Sequence, residues 1–185
     1  VIAPEHPLID KYADRISNMD AIKAYRTECA KKTEFERTQL VKDKTGVKIE
    51  GLEAVNPVNG KKIPIFIADY VMMGYGTGAI MAVPAHDQRD YDFAKAFNID
   101  IIEVIKGGDI SKEAYTGDGE MVNSEFLNGY TNKKDSIQKM LEELTRQGIG
   151  RAGVQFKMKD WAFNRQRYWG EPIPIVHCDH CGVVP

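Results

Sequence analysis

Residues 70–97 of this chain have the sequence YVMMGYGTGAIMAVPAHDQRDYDFAKAF, and this stretch decides how the rest is interpreted. It begins with a glycine-rich turn at residues 74–78 and continues with an apolar run at residues 79–83, which Pro84 closes. Glycine allows backbone conformations that other residues avoid, and proline has no N–H to donate within a sheet. The pattern predicts a turn, a short buried strand over residues 79–83 and then a helix.

Polar residues cluster where this helix begins: His86, Asp87, Arg89 and Asp90. Asp87 stands at the expected N-cap position, and Asp90 falls in the first turn. Carboxylates there accept hydrogen bonds from unpaired N–H groups and interact favourably with the helix dipole. Junctions between a strand and a helix are also common places for binding sites. The residue types alone therefore leave both a capping role and a functional role open.

Composition limits the class of protein. The chain has 185 residues, enough for one well-packed domain with an appendage, and its 25 Lys and Arg nearly balance 27 Asp and Glu. Such a balance excludes a strong overall field that attracts nucleic acid, so RNA binding would need a local basic surface. No apolar run reaches the roughly 18–20 residues that span a bilayer. We expect a cytoplasmic protein without a membrane partner, and the missing initiator Met suggests a fragment.

Several segments outside residues 70–97 have clear helical patterns. Apolar residues recur at helical spacing in the region 8–44, where Cys29 falls on the apolar face and is expected in the core. Thr33 and Glu36 form a capping-box pattern. The region 131–147 predicts an amphipathic helix ended by Gly148, with an apolar face of Ile137, Met140, Leu141 and Leu144.

Strands are expected in the remaining segments. Apolar runs on both sides of Asn59-Gly60 predict a hairpin, because this dipeptide favours a two-residue turn. Residues 99–105 predict a short buried strand, residues 106–119 a glycine-rich loop, and residues 121–130 a strand followed by a turn. Alternation in residues 152–159 predicts one more strand.

Three separated motifs carry a family resemblance. The sequence GYGTGAIMAVPAHDQRDYDFA resembles the signature of the editing domain of bacterial-type leucyl-tRNA synthetases. Residues 160–175, DWAFNRQRYWGEPIPI, are similar to the segment D-W-x-x-S-R-Q-R-Y-W-G-x-P-I-P that follows that domain, with Asn164 in place of Ser. The opening APEHPL at residues 3–8 also matches. Because the matches occur in the family order, we identify the chain as a member of this family.

The resemblance implies an α+β fold, with a β-barrel-like core and peripheral helices inserted in a Rossmann-type synthetase. It implies an editing domain over residues 1–160, and over residues 161–185 a junction to the catalytic domain with half of a zinc-binding module. In the family, a Thr-rich peptide shortly before the position of Val1 forms one wall of the pocket. The sequence begins after it, so a catalytically incomplete fragment that only folds and binds the tRNA 3′ end is the alternative to an active domain.

The implied reaction is hydrolysis of the ester on mischarged tRNA(Leu), with a positioned water as nucleophile. By resemblance the catalytic group comprises Asp90 as anchor of the substrate ammonium, together with Asp87, His86 and Arg89. The resemblance also implies a substrate-binding group: Tyr75, Gly76, Thr77, Gly78, Met81 and Val83. For Met81 and Val83 a plain core-strand role stays open, and for Arg89 a surface ion pair.

Cofactor and partner expectations follow from the same resemblance. Editing needs no cofactor, whereas ATP and Mg belong to the parent enzyme only, since the HIGH and KMSKS elements are absent. Cys178 and Cys181 form half of a zinc site, because structural zinc needs four ligands and the second cysteine pair of the family lies further along the parent chain. The expected partners are the tRNA(Leu) 3′ end and the remainder of the synthetase chain.

Overall fold

The computed structural model describes residues 1–33, 36–37, 44–74, 76–154, 167–168, 171–172, 176–178, 180 and 182–184. The chain divides into two compact units, Val1–Ala152 and Gly153–Pro185. The first unit contains α1 (Leu8–Lys11), α2 (Met19–Ala30), β1 (Gly46–Val55), β2 (Lys62–Ala68), α3 (Gln88–Ala96) and α4 (Lys133–Arg146). The second contains β3 (Arg167–Tyr168), β4 (Glu171–Pro172), β5 (Val176–Cys178) and β6 (Gly182–Val184). The described elements thus form an α+β structure.

Helices α1 and α2 confirm the periodicity of the N-terminal region. A short 3₁₀ helix, Ala13–Arg15, lies between them. Ile9, Ile22 and Cys29 are buried against the sheet in one apolar cluster, as their helical spacing predicts. The capping box is confirmed as well. The Thr33 N–H donates to Glu36 Oε2 at 2.7 Å, and the Glu36 N–H donates to Thr33 Oγ1 at 3.3 Å.

Strands β1 and β2 form the predicted antiparallel hairpin, with Val47 opposite Ile67 and Val55 opposite Lys62. The connection differs from the prediction, because the Asn56 N–H bonds the Lys61 carbonyl at 2.8 Å. The turn therefore spans residues 56–61 instead of the two residues Asn59-Gly60. Side-chain oxygens of the turn asparagines accept backbone N–H groups at Val58 and Lys61, which stabilises the longer loop.

Residues 1–3 join the hairpin to the glycine-rich turn. Ile2 forms a parallel bridge with Ile67 and an antiparallel bridge with Ala79. The Ala3 N–H donates to the Gly78 carbonyl, and the Ile80 N–H donates to the Val1 carbonyl, both at 2.8 Å. The backbone that enters the candidate site is thus anchored to the edge of β2.

The buried strand predicted over residues 79–83 is wrong. Only Ala79 makes a bridge, and the side chains of Met81 and Val83 are 54% and 39% exposed. Residues 1–3 pair with the backbone at the start of this run, at residues 78–80, and make no described backbone hydrogen bond with residues 81–83. The chain then turns, since the N–H groups of His86 and Asp87 both bond the Val83 carbonyl. The core-strand alternative for Met81 and Val83 is therefore wrong too.

The strand predicted over residues 99–105 is also wrong. Ile105 pairs with Met121 in an isolated bridge, and Ile102 is 59% exposed. For residues 121–130 the structure has that bridge and a 3₁₀ helix, Glu125–Leu127, instead of a strand. Residues 152–154 form no strand, and residues 155–159 lie outside the described part. Among the described residues, no strand runs alongside residues 99–105 or 121–130, so the bridge between Ile105 and Met121 stays isolated.

Helix α4 confirms the C-terminal amphipathic pattern, and Gly148 follows it with φ of +69°. Its apolar face is only partly buried. Ile137 is 51% exposed, whereas Met140, Leu141 and Leu144 are half-buried. Only one side of this face therefore packs against the rest of the unit.

Candidate functional site

Asp90 is the buried centre of the site. It lies in the first turn of α3 and is only 7% exposed. The Tyr70 hydroxyl donates to Asp90 Oδ1 and the Val83 N–H donates to Oδ2, each at 2.9 Å. In the part of the chain that the structure describes, no Lys, Arg or His forms an ion pair with it. The Val1 ammonium interacts with Asp90 through its charge, without an ion pair between them. A desolvated carboxylate held by two neutral donors is suited to bind a cation, because a buried charge without an ion-pair partner is costly.

Tyr70 supplies one of these donors from the turn that follows β2. Burial raises the pKa of its phenol, and the negative charge of Asp90 raises that pKa further. The phenol consequently stays protonated at neutral pH and can donate to Asp90. Its ring packs against Phe93 of α3 with 5.6 Å between centroids, so the two elements that carry the pair also pack together.

Asp87 is the N-cap of α3, as the capping interpretation predicts. Its Oδ1 accepts the N–H of Arg89 at 2.8 Å and the N–H of Asp90 at 3.1 Å. The cap thereby fixes the backbone of the residue that carries the buried carboxylate. Arg89 points its side chain to solvent, and among the described residues no carboxylate pairs with it. The two predicted aspartates are thus joined by a hydrogen bond from the backbone N–H of Asp90 to the side chain of Asp87.

His86 has a different environment from the two aspartates. Its Nε2 accepts the N–H groups of Val104 and Ile105 at 3.0 and 2.9 Å. Its Nδ1 lies 2.7 Å from the Tyr115 carbonyl. An acceptor at Nε2 requires the proton on Nδ1, which then donates to Tyr115. Both ring nitrogens are therefore used to hold loop backbone, and neither is available for proton transfer in this arrangement.

The substrate-binding group predicted from the sequence lies mostly at the surface. Gly76 and Thr77 are exposed in the turn, and Gly76 has φ of +66°. Gly78 is buried with φ of +72°, and a Cβ there would meet the Met73 sulfur. Tyr75 lies outside the described residues. Of this group, Val83 touches the Asp90 carboxylate through its own N–H.

A groove of about 370 Å³ lies elsewhere in the first unit, between the loop at residues 105–121 and α4. Its walls are mainly apolar, including Ile105, Met121, Ile137 and Met140. Of the predicted site residues that the structure describes, only His86 contributes to it. The groove is therefore separate from the carboxylate that carries the chemistry proposed below.

The cysteines fall into two settings. Cys29 is 1% exposed in the core, and burial raises the pKa of its thiol, which confirms the packing role. Cys178 ends β5 opposite Gly182 of β6, whereas Cys181 lies outside the described residues. Among the described residues, no group of three or more His, Cys, Asp or Glu could hold a metal ion. The zinc half site stays a prediction that rests on the Cys-x-x-Cys sequence.

Two contributors to the site were not found from the sequence. Tyr70 contacts Asp90 across twenty positions, and Arg37 supports the backbone on both sides of Tyr70. The Arg37 Nε donates to the Asp69 carbonyl at 2.8 Å, and one terminal nitrogen donates to the Val71 carbonyl at 3.1 Å. No motif or periodicity links residues so far apart in the chain.

Comparison with known proteins agrees with the motifs. The model of the family described as leucyl-tRNA synthetase, editing domain, matches residues 1–145. A leucine–tRNA ligase of Alkaliphilus oremlandii is 61% identical over 189 positions, covering 100% of this chain and 23% of the relative. A leucine–tRNA ligase of Elusimicrobium minutum is 56% identical over 186 positions, covering 100% of this chain and 22% of the relative.

A solved structure is similar in fold. The crystal structure of the ternary complex of Agrobacterium radiobacter agnB2 LeuRS with tRNA and LeuAMS matches with a TM-score of 0.62 and 30% identity. The match covers 100% of this chain and 20% of that one. The likenesses point to the class of aminoacyl-tRNA synthetase domains. The chain belongs to the leucyl-tRNA synthetase editing domain family. It spans under a quarter of the length of the curated relatives, at 23% and 22%.

Proposed function

We propose that this chain is the post-transfer editing domain of a leucyl-tRNA synthetase and hydrolyses the ester of mischarged tRNA(Leu), such as isoleucyl, methionyl or norvalyl esters. The observation that carries this proposal is the buried Asp90 carboxylate, which has two neutral donors and no basic partner among the described side chains. An aminoacyl ester carries a fixed α-ammonium charge. A desolvated carboxylate is the group that binds such a charge most strongly.

In the proposed reaction, the oxygen of a positioned water attacks the ester carbonyl. The bond between that carbon and the ester oxygen of the terminal adenosine's ribose breaks, and this leaving oxygen takes the proton that the attacking water gives up. The products are the free amino acid and uncharged tRNA. Asp90 holds the ammonium so that the carbonyl faces the water, which lowers the entropic cost of reaching the transition state. The neighbouring hydroxyl of the tRNA assists the attack.

Editing of this kind is needed because one methylene gives only about 1–3 kcal/mol of discrimination in a binding pocket. We assign Met81, Val83 and Tyr75 to the wall that contacts the side chain of the substrate amino acid. This wall excludes leucine by its shape. The exposure of Met81 and Val83 supports this, since their side chains are available to a ligand. Gly76, Thr77 and Gly78 let backbone groups approach the terminal adenosine.

In this proposal, Asp87 and His86 hold the site in place and do not react with the substrate. Asp87 caps α3 and so positions Asp90, while His86 joins the loops at residues 104–105 and 115. Arg89, exposed beside them, is available to the phosphates of the tRNA end. Of the two aspartates, Asp90 is therefore the one that binds the α-ammonium group of the substrate.

The larger context belongs to the proposal as well. The barrel-like core, the editing domain over residues 1–160 and the junction over residues 161–185 are what the family resemblance implies. Ligation of leucine to tRNA(Leu) with ATP and Mg is assigned to the remainder of a parent chain, in the cytoplasm. Among the described residues, no helix has the length and apolarity to cross a membrane.

Deacylation of isoleucyl-tRNA(Leu) tests the function, with the present chain and with a version extended N-terminally through the Thr-rich peptide. We expect Asp90→Asn to lower kcat/KM by about 30-fold or more, because a buried charge contact is lost. Asp92→Asn is the matched control, as this exposed aspartate of the same helix bonds only Gln88 among its described contacts. Equal rates for Asp90→Asn and wild type would contradict the assignment. Activity in the extended version alone would favour the incomplete fragment.

A further inference from the structure

We infer that Tyr70 is a positioning residue of this site, whose phenol orients the Asp90 carboxylate toward the α-ammonium group of the aminoacyl ester. The inference rests on the proposed function, because it assigns Asp90 to that ammonium. It adds a residue that lies outside the HDQRD motif and that acts through Asp90 without touching the substrate.

The geometry of the carboxylate is the first argument. Its two oxygens are held by different segments, since the Tyr70 hydroxyl bonds Oδ1 and the Val83 N–H bonds Oδ2. Two bonds on separate oxygens fix the plane of the group. An ionised carboxylate has about four acceptor positions, so two remain for the substrate. Without the phenol, one oxygen alone would be held, and the carboxylate could rotate about its last side-chain bond.

The state of the phenol is the second argument. Burial is the larger cause that raises the pKa of Tyr70, and the charge of Asp90 adds to it. A protonated phenol has one hydrogen, and the structure directs it to Asp90. The hydrogen bond from Tyr70 to Asp90 therefore persists across the neutral pH range in which the ester is hydrolysed.

The support behind Tyr70 is the third argument. The Arg37 guanidinium is 7% exposed and donates to the carbonyls of Asp69 and Val71, on either side of Tyr70. Glu5 pairs with the same guanidinium at 2.6 Å. The Tyr70 ring also packs against Phe93. A donor held at its backbone and its ring is preorganised, which is what a precise site requires.

The test uses a complete synthetase chain that contains this segment and the variants Tyr70→Phe, Tyr91→Phe and Asp90→Asn. Phenylalanine keeps the ring that packs against Phe93. Tyr91→Phe is the matched control, because the Tyr91 hydroxyl donates to the Ser111 carbonyl and not to Asp90. Each variant is assayed on isoleucyl-tRNA(Leu) and on the α-hydroxyacyl analogue, which lacks the ammonium. Thermal unfolding of each variant confirms that it is folded.

Tyr70→Phe is expected to lower kcat/KM for the aminoacyl ester by about tenfold to a hundredfold, because a hydrogen bond to a charged group is lost. It should change hydrolysis of the α-hydroxyacyl ester by less than about twofold, and Tyr91→Phe should affect neither substrate. Equal losses on both substrates, or the same losses in Tyr91→Phe, would overturn the inference in favour of a general structural effect. An unchanged kcat/KM for the aminoacyl ester in Tyr70→Phe would overturn the inference too. If Asp90→Asn likewise leaves this kcat/KM unchanged, the proposed function fails as well, whereas a loss in Asp90→Asn alone overturns only the role of Tyr70.

Discussion

Asp90 shows how one buried charge organises its neighbours. The phenol of Tyr70 and the backbone N–H of Val83 donate to its two oxygens, and the Asp87 cap accepts the backbone N–H of Asp90. Neither donor carries a formal charge. The Val1 ammonium attracts Asp90 through its charge, but among the described residues no ion pair to Asp90 is formed. An internal arginine in place of the phenol would neutralise the charge and compete with the substrate ammonium. Neutral donors keep the anion available for a cationic ligand.

His86 leads to a prediction about stability at the scale of one residue. His86→Ala should lower the free energy of unfolding by about 2–4 kcal/mol, because the N–H groups of Val104 and Ile105 lose their acceptor. Urea denaturation followed by circular dichroism measures the change. His180→Ala, at an exposed histidine, is the control and should stay within about 0.5 kcal/mol of wild type.

A different outcome would assign His86 to the chemistry. If His86→Ala leaves stability unchanged and abolishes deacylation, the ring acts on substrate, and the contacts to loop backbone do not describe its role. Loss of both stability and activity in proportion would agree with a structural role.

At the scale of elements, β1 has a local irregularity that brings it against the N-terminal helices. The pairing with β2 shifts register between Lys48 and Glu53, and Gly51 within this bulge has φ of +92°. A bulge bends its strand and increases its twist. The Ser17 N–H then bonds the Glu50 carbonyl at 3.1 Å, and Asn18 bonds the backbone of Lys48 and Glu50. The bulge thus joins the sheet to the start of α2.

Gly51→Ala tests this junction. The substitution should cost about 2–4 kcal/mol of unfolding free energy, since a left-handed backbone disfavours a side chain and the new Cβ would also collide with the Arg15 carbonyl. Gly60→Ala is the matched control, because Gly60 has φ of +67° with open space around it, and it should cost about 1 kcal/mol. Thermal or chemical denaturation gives both values. Equal costs would mean that the bulge moves away from Arg15 easily.

The glycine-rich loop illustrates a second element that depends on its environment. Gly107, Gly108 and Gly117 lie against the ring of Tyr115, where any Cβ would collide with that ring. The Tyr115 hydroxyl donates to the Asp118 carbonyl at 2.8 Å, and its own carbonyl bonds His86. In the sequence these glycines predict only a loop. In the structure they let the loop close around one aromatic side chain.

At the scale of the whole first unit, a polar network joins the N-terminal helices to the end of β2. The Asp69 N–H donates to the Tyr25 hydroxyl at 3.0 Å, and Lys32 pairs with the Asp69 carboxylate at 2.7 Å. Arg37 bonds the Asp69 carbonyl and pairs with Glu5. The network fixes the position from which Tyr70 reaches Asp90, so the site depends on contacts spread over much of the unit.

This network predicts a loss of stability at alkaline pH. Burial raises the pKa of Tyr25 and of Tyr70, and the hydrogen bond to Asp69 raises the pKa of Lys32. Above about pH 10 the unfolded chain loses these protons while the folded chain keeps them, so stability falls as the pH rises. Tyr25 can contribute at most about 1.4 kcal/mol per pH unit to the fall of the unfolding free energy with pH.

Urea denaturation at a series of pH values from 8 to about 11 measures this slope. Tyr25→Phe should make the slope shallower, although it lowers stability at every pH by removing the acceptor of the Asp69 N–H. Tyr12→Phe, at a half-buried tyrosine whose ring lies beside Lys11 and Arg15, is the control. An unchanged slope in Tyr25→Phe would count against this account.

Much of this molecule was predictable from local sequence. The spacing of Ile22 and Cys29 predicted the buried face of α2, the pattern around Asn59-Gly60 predicted the hairpin, and Gly148 marked the end of α4. These features depend on residues a few positions apart, where periodicity and capping are decided by nearest neighbours. The motif around Asp90 likewise indicates the family from local sequence alone.

Tertiary structure decided the rest. Whether residues 79–83 and 99–105 became strands depended on a neighbouring strand, which a short apolar run cannot reveal. The burial of Asp90, its bond from Tyr70 and the bonding of both His86 nitrogens depend on segments that are distant in the chain. The sequence by itself determined the family, the helices and the motif in which Asp90 stands. The hydrogen-bond partners of Asp90 and its charge environment were determined by the tertiary fold. Hydrogen bonds and desolvation act between groups that are close in space, whatever their separation in sequence.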